Sequence, residues 1–291
     1  MTRGICLVLT TLAATLASGE PWELALNANL TSTQNAYSDN WAGTETGLFS
    51  WTAGTDFSAQ RQLSRLVNTK NTAKLALGYT MSQSSDSTRK WSKPIKANDL
   101  IDLESVLRFT LGGWVDPFAS ARLESQFLDT RDTALTRYVN PIRLTEGLGI
   151  ARVIIKQPKR ELTSKLGAAF KQTINRSVLE PGATTRSTVF DNYGGLLLTA
   201  DFNTPLLGER ISYTERLSVF QALIYSGAAR LTGDSANYWK QPDINWENTF
   251  SASITKLLMV NLYVQVLFDR EITPGARLKE ALALGLTYRL I

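Results

Sequence analysis

The segment LKEALALGLTYRLI, from Leu278 to Ile291, sorts its residues by parity. Leu278, Leu282, Leu284, Leu286, Tyr288 and Leu290 fall on one parity, and Lys279, Ala281, Ala283, Gly285, Thr287 and Arg289 on the other. Side chains of a β-strand point alternately to opposite faces, so this is one strand with an apolar face and a small or charged face. The same pattern recurs along the chain. Trp22, Leu24, Leu26, Ala28 and Leu30 alternate with polar or small residues, as do Ala73, Leu75, Leu77, Tyr79 and Met81. So do Ile101, Leu103, Leu107 and Phe109, then Ala119, Ala121, Leu123 and Phe127, and finally Leu258, Val260, Leu262, Val264, Val266 and Phe268.

Counting less regular runs as well, the periodicity predicts about twelve strands. Most runs match the roughly nine to eleven residues needed to cross hydrocarbon at a tilt, where a strand of a soluble protein averages about five or six. The connections alternate too. Short turns near 63–69, 112–116, 156–160, 204–208 and 255–257 separate longer polar links at 33–44, 84–96, 129–141, 173–185 and 228–242, with REITPGA as the last link. This is the pattern of an up-and-down barrel with one end facing the periplasm and the other facing outward.

Alternation alone does not say which face turns inward. About twelve strands with Leu and Phe inside would enclose a wide apolar cavity with too little to fill it, since eight strands already make a lumen that side chains just fill. With the apolar set outside, the stripes far exceed the few hundred Å² of apolar patch normal for a soluble monomer. Hydrocarbon resolves the conflict, and it requires closure, because an open edge would leave backbone groups unsatisfied. The expected fold is therefore all-β, a transmembrane up-and-down antiparallel β-barrel.

The first residues, MTRGICLVLTTLAATLASGEPWEL, have the build of a secretory signal peptide: Arg3, an apolar run from Ile5, then the small residues Ala17, Ser18 and Gly19. The expected organisation is a signal peptide at 1–19 and one barrel domain at 20–291, exported to the cell outer membrane. The sole cysteine, Cys6, lies in this leader, so the exported part has no disulfide or thiolate site.

There is no histidine. That removes Ser-His-Asp catalysis and the usual zinc sites, so neither an enzyme, a cofactor nor a metal is expected. The net charge of +5 is scattered singly among acids rather than gathered in a stripe, which argues against a nucleic-acid partner. Membrane lipid is the expected surrounding.

On the polar parity, Glu104, Arg108, Arg122, Glu124, Glu247, Asp269 and Arg289 are candidates to face the lumen, with Glu104–Arg108 and Arg122–Glu124 as expected neutralising pairs. Gly147 and Gly149 are expected to mark small lumen positions. Tyr37, Asn40 and Trp41 lie in a long polar link suited to a binding loop. Trp22, Trp91, Trp114, Trp239, Trp246 and Tyr288 suit aromatic girdles. Three acids fall on the apolar parity: Glu146 and Glu280 near outer strand ends, and Glu215 nearer mid-depth, a conflict that a β-bulge or a parity switch within residues 210–226 would remove.

The stretches LTSTQNAYSDNWAGTETGLFSW, DINWENTFSASITKLLMVNLYVQVLFD and KEALALGLTYRL resemble a family of uncharacterised outer-membrane β-barrels of Gram-negative bacteria, catalogued as a domain of unknown function. The resemblance implies location and architecture, and a last strand read by the barrel insertion machinery, with Leu290 where such barrels usually carry an aromatic residue. It contributes no catalytic residue. The function expected is a narrow passive channel or a structural envelope component. The alternatives are a module binding a surface ligand or an envelope partner through its outer links, and a soluble exported β-sandwich.

Overall fold

The computed structural model describes residues 21–37, 45–85, 89–132, 134–179, 184–208, 210–255 and 258–289. The leader expected at 1–19 lies outside them, as do Asn40 and Trp41 of the proposed binding loop.

The strands in chain order are β1 (Glu23–Asn35), β2 (Leu48–Ser64), β3 (Val67–Ser82), β4 (Ile95–Phe109), β5 (Asp116–Ser125), β6 (Leu128–Asp129) and β7 (Arg137–Tyr138), followed by β8 (Ile142–Gln157), β9 (Arg160–Val178), β10 (Ser187–Leu206), β11 (Ile211–Tyr225), β12 (Asp243–Ser253), β13 (Leu258–Phe268) and β14 (Arg277–Arg289). All but β6 and β7 form one closed barrel in the order β1-β14-β13-β12-β11-β10-β9-β8-β5-β4-β3-β2. Each strand is antiparallel to its neighbours, and β1 closes on β14 through pairs such as Leu30 with Leu286. This is the twelve-stranded up-and-down barrel that the periodicity predicts. A closed barrel is not a β-sandwich, and among the described residues the one further sheet is the small hairpin of β6 and β7 within an outer link.

The parities divide inside from outside as expected. On β4, Asp102 is buried while Leu103, Leu107 and Phe109 are exposed. On β9, Lys165 and Ala169 are buried while Leu166 and Phe170 are exposed. Leu196, Leu198, Leu278, Leu282 and Leu284 continue the exposed apolar set around the wall. Exposure of so many large aliphatic side chains on a closed cylinder identifies hydrocarbon as its surroundings. Among the described residues no helix is long and apolar enough to cross a membrane, so the strands do the crossing.

Aromatic residues ring the short-turn end and carry arginines on their faces. Arg61 lies over Trp22 at 5.7 Å, Arg152 over Trp114 at 4.4 Å and Arg160 over Phe202 at 5.5 Å. Phe202, Tyr213 and Phe250 extend the band through ring contacts at 6.2 and 4.8 Å. An aromatic ring with a cation on its polar side suits the level where hydrocarbon gives way to head groups. Trp239 and Trp246 depart from the girdle expectation: the first folds into the outer mouth, and the second lies on the lipid face within β12.

The link expected at 173–185 is shorter, because β9 continues to Val178. The 126–141 link holds that extension from the side. Asn140 donates to Asn175 Oδ1 (2.8 Å) and accepts from Arg176 N (2.8 Å), and Arg176 donates to the carbonyls of Tyr138 and Val139. The centre of this knot is Asp129, fully buried and bonded by Arg131, Arg137 and Asn140. Burial alone would raise its carboxyl, but hydrogen bonds from Arg131 and Asn140 prevail and hold it well below the usual carboxylate range.

Glu215 also departs from expectation. A register shift does occur between β10 and β11, at Gly194/Gly195, but it lies above Glu215 and leaves it on the lipid face. There Trp246 Nε1 donates to Glu215 Oε1 (2.8 Å) and Tyr213 Oη to Oε2 (3.2 Å), so the charge is capped by aromatic side chains with polar tips.

A charge placed at mid-height on the outer wall is therefore expected to be costly. Leu282→Arg should lower unfolding stability in liposomes by about 2–4 kcal/mol, while the same change at the lumen-facing Asn261 should cost far less.

Candidate functional site

The interior is organised by ion pairs that cross it. Glu104 on β4 takes a bidentate pair from Arg216 on β11, at 2.7 and 2.9 Å. These strands lie on opposing sides of the ring. A bond between them therefore spans the lumen. Lys165 approaches the same carboxylate at 3.6 Å and Asp201 at 3.5 Å, and Arg216 Nε lies 3.7 Å from Asp201. On the adjoining wall Arg122 makes a bidentate pair to Asp102 (2.8 and 2.9 Å) and reaches Glu124 at 3.2 Å.

A chamber of about 120 Å³ lies within this layer, lined by Glu104, Arg122, Lys165 and Arg216 together with Phe118, Lys171 and Asn245. Lys171 bonds Asp243 at 3.1 Å and sits 3.9 Å over the Phe220 ring. Higher still, Tyr193 and Tyr225 stack face to face at 4.2 Å. Trp239, from the 3-10 helix Gly233–Lys240 of the outer link, packs against Ala169, Phe220 and Ala222. Charged side chains thus cross the interior at mid-height, and aromatic side chains gather at its mouth.

Small residues let β8 and β9 approach closely. Gly147 and Gly149 face inward, and a Cβ on Gly149 would lie 2.2 Å from Leu166 O, as one on Gly167 would from Leu148 O. Any larger residue would force β8 and β9 apart.

The sequence-derived lumen candidates divide as follows. Glu104, Arg122 and Glu124 meet in the central layer. Glu104 does not pair with Arg108; Arg108 lies at the short-turn end, 3.8 Å from Asp116. Glu247 faces inward and accepts from Asn245 Nδ2 (2.8 Å). Asp269 is not on the wall: it begins the last outer link and accepts from the backbone N–H of Glu271 (3.0 Å), because β13 stops at Phe268. Arg289 pairs in register with Asn27, and its side chain lies outside the described residues. Tyr37 follows β1 at the outer end and is half-buried. The residues missed were Arg216, Lys165, Asp201 and Asp102. Arg216 and Lys165 do have the inward parity of their strands, the available signal, but no local pattern reveals a partner 112 positions away.

Fold and lumen together define a transmembrane β-barrel with a charged interior. Over residues 32–130 the chain matches a family model described as a protein of unknown function (DUF3078), which bears out the resemblance to an uncharacterised family. No curated protein matches it. Among solved structures it is similar to the COG4313 outer membrane channel from Pseudomonas putida F1, with 15% identity over 91% of this chain and 93% of that chain and a TM-score of 0.44. It is also similar to the translocator domain of autotransporter NalP from Neisseria meningitidis (11% identity, 92% and 87% covered, TM-score 0.37). A third is OmpF of Salmonella typhi in complex with daunomycin (10% identity, 94% and 97% covered, TM-score 0.25).

Removing one member of the cross-lumen pair strands the other largely out of water, with side chains only 11% and 16% exposed. Glu104→Gln or Arg216→Gln alone is expected to cost about 3 kcal/mol, and the double variant clearly less than the sum, in a double-mutant cycle read by urea unfolding in liposomes.

Proposed function

We propose that the protein is an integral barrel of the outer membrane working as a narrow passive channel for small hydrophilic solutes. The observation that carries this reading is the chemistry of the lumen at mid-height. A purely structural barrel of this width needs side chains that fill it, and apolar packing does that without the desolvation cost of buried ions. Here the centre is instead crossed by Glu104, Arg216, Lys165, Asp201, Arg122 and Asp102, which water can solvate one at a time when a pair parts. No catalytic role is assigned to any of them. Outer-membrane location is supported by the closed barrel with short turns at one end and long links at the other. The last strand is proposed as the segment that the insertion machinery reads.

In planar bilayers the native chain is expected to show small, noisy conductance steps. The double variant Glu104→Ala/Arg216→Ala should widen the crossing and raise the step size severalfold. A flat trace from both proteins, with insertion verified, would sink the channel reading and leave the envelope component.

The mouth carries a further expectation. Burial pushes the Glu271 carboxyl up to about 7; the hydrogen bond from Tyr193 Oη (3.1 Å) pulls it down, and nearby Asp269, Asp243 and Asp191 add to the rise. The folded value is above the unfolded one. The neutral acid therefore contributes stability that is fully present at or below the ordinary carboxylate value and is lost as pH rises through about 7. Amide exchange in the 269–276 link, corrected for its intrinsic pH dependence, is expected to speed up through that range, and Glu271→Gln should remove the response.

A further inference from the structure

Glu146 lies on the outer wall of β8, exposed, among neighbours that are apolar or small: it pairs across the sheet with Ala121 on β5 and Phe170 on β9. Unlike Glu215, it has no hydrogen bond or ion pair among the described residues. The wall beside it is hollowed. An external groove of about 740 Å³ has Ala119, Ala121, Ala168 and Gly194 for its floor, and Leu148, Phe170, Leu196, Leu223 and Ile224 for its sides. The register shift between β10 and β11 deepens it, since Leu223 is the extra residue and both Leu223 and Ile224 stand out from the wall, 60% and 65% exposed.

The groove changes character along its length. At Phe170, Gly194 and Ile224 it joins a second hollow of about 410 Å³ that adds Gln172, Asn192 and Ser226. These polar residues lie toward the long-link end, and Asn192 N donates to Ser226 Oγ at 3.1 Å. Glu146 shares a rung with Phe170 and Gly194, one step toward the membrane centre from Gln172 and Asn192. The hollow is thus apolar below and polar above, with a lone carboxylate at the boundary. An acyl chain fills the lower part, and the upper part suits a hydrogen-bonding head group. The unpaired negative charge selects a head group that brings a cation and disfavours one that brings only phosphate.

We propose that this groove is a binding site for an aminophospholipid, its acyl chain lying over Ala121, Ala168 and Gly194 and its ammonium paired with Glu146. The site is independent of whether the lumen conducts. It explains why an acid is tolerated on the lipid parity of β8 without the side-chain cap that Glu215 has.

The test uses the full chain reconstituted in vesicles of phosphatidylethanolamine mixed with phosphatidylglycerol, then released into detergent for native mass spectrometry. The native chain is expected to retain one phosphatidylethanolamine in preference to phosphatidylglycerol. Glu146→Gln, a near-isosteric change on an exposed position, should reduce that preference about tenfold, the scale of a charge-assisted hydrogen bond. Ala168→Trp should fill the groove and abolish retention, while Leu284→Trp, on a distant part of the lipid face, should leave it intact. Equal retention of both lipids, retention unchanged in Glu146→Gln, or preferential capture of phosphatidylglycerol would overturn the proposal. So would a dimer of the native chain that Ala168→Trp converts to monomer, since the groove would then seat a second copy.

Discussion

Backbone amides and carbonyls in hydrocarbon have no water to bond, and the rest of this molecule follows from that constraint. Each strand must be paired on both sides, so β1 must meet β14, and the pairing of Ala28 with Tyr288 and Leu30 with Leu286 completes the ring. Closure then separates two solvents by a wall one residue thick. Because side chains alternate, every outward Leu commits its neighbours to the lumen, and the composition of the interior is set by that of the exterior.

That commitment explains the central charges. Twelve strands enclose more space than small side chains fill. Long charged side chains reach across it, and once there they must find opposite charges. Glu104 and Arg216 satisfy each other from facing walls, while Lys165 and Asp201 share the surplus. In the same part of the wall Gly149 against Gly167 lets the backbones of β8 and β9 approach where any Cβ would collide.

The architecture was legible because it depends on period two, a signal that survives from residue to residue. The alternation at 258–268 or 278–288 is enough to fix a strand and its faces. Pairing inside the lumen was not legible, because it depends on strand tilt and stagger, which set residues of different strands at a common height. Thus Arg108 was expected beside Glu104, four residues away on the same inward face, although the barrel offers Glu104 a better partner on β11 and leaves Arg108 with Asp116. Link boundaries failed for a related reason. The polar run after Thr173 looks like loop, yet Asn140 and Arg137 from another link hold it as strand.

The acids on the lipid parity show how local rules bend without breaking. Glu215 violates the alternation, but Tyr213 and Trp246, aromatic residues with polar tips, lie within hydrogen-bond reach and take up its charge. Here aromatic side chains on the wall supply the solvation that hydrocarbon denies. Glu146 has no such side chain within reach among the described residues. An exterior charge that the protein does not satisfy must be satisfied by what surrounds it, and in a bilayer the surroundings that carry charge are head groups. The exception in the pattern therefore points outward, to the composition of the membrane that this barrel was built to meet.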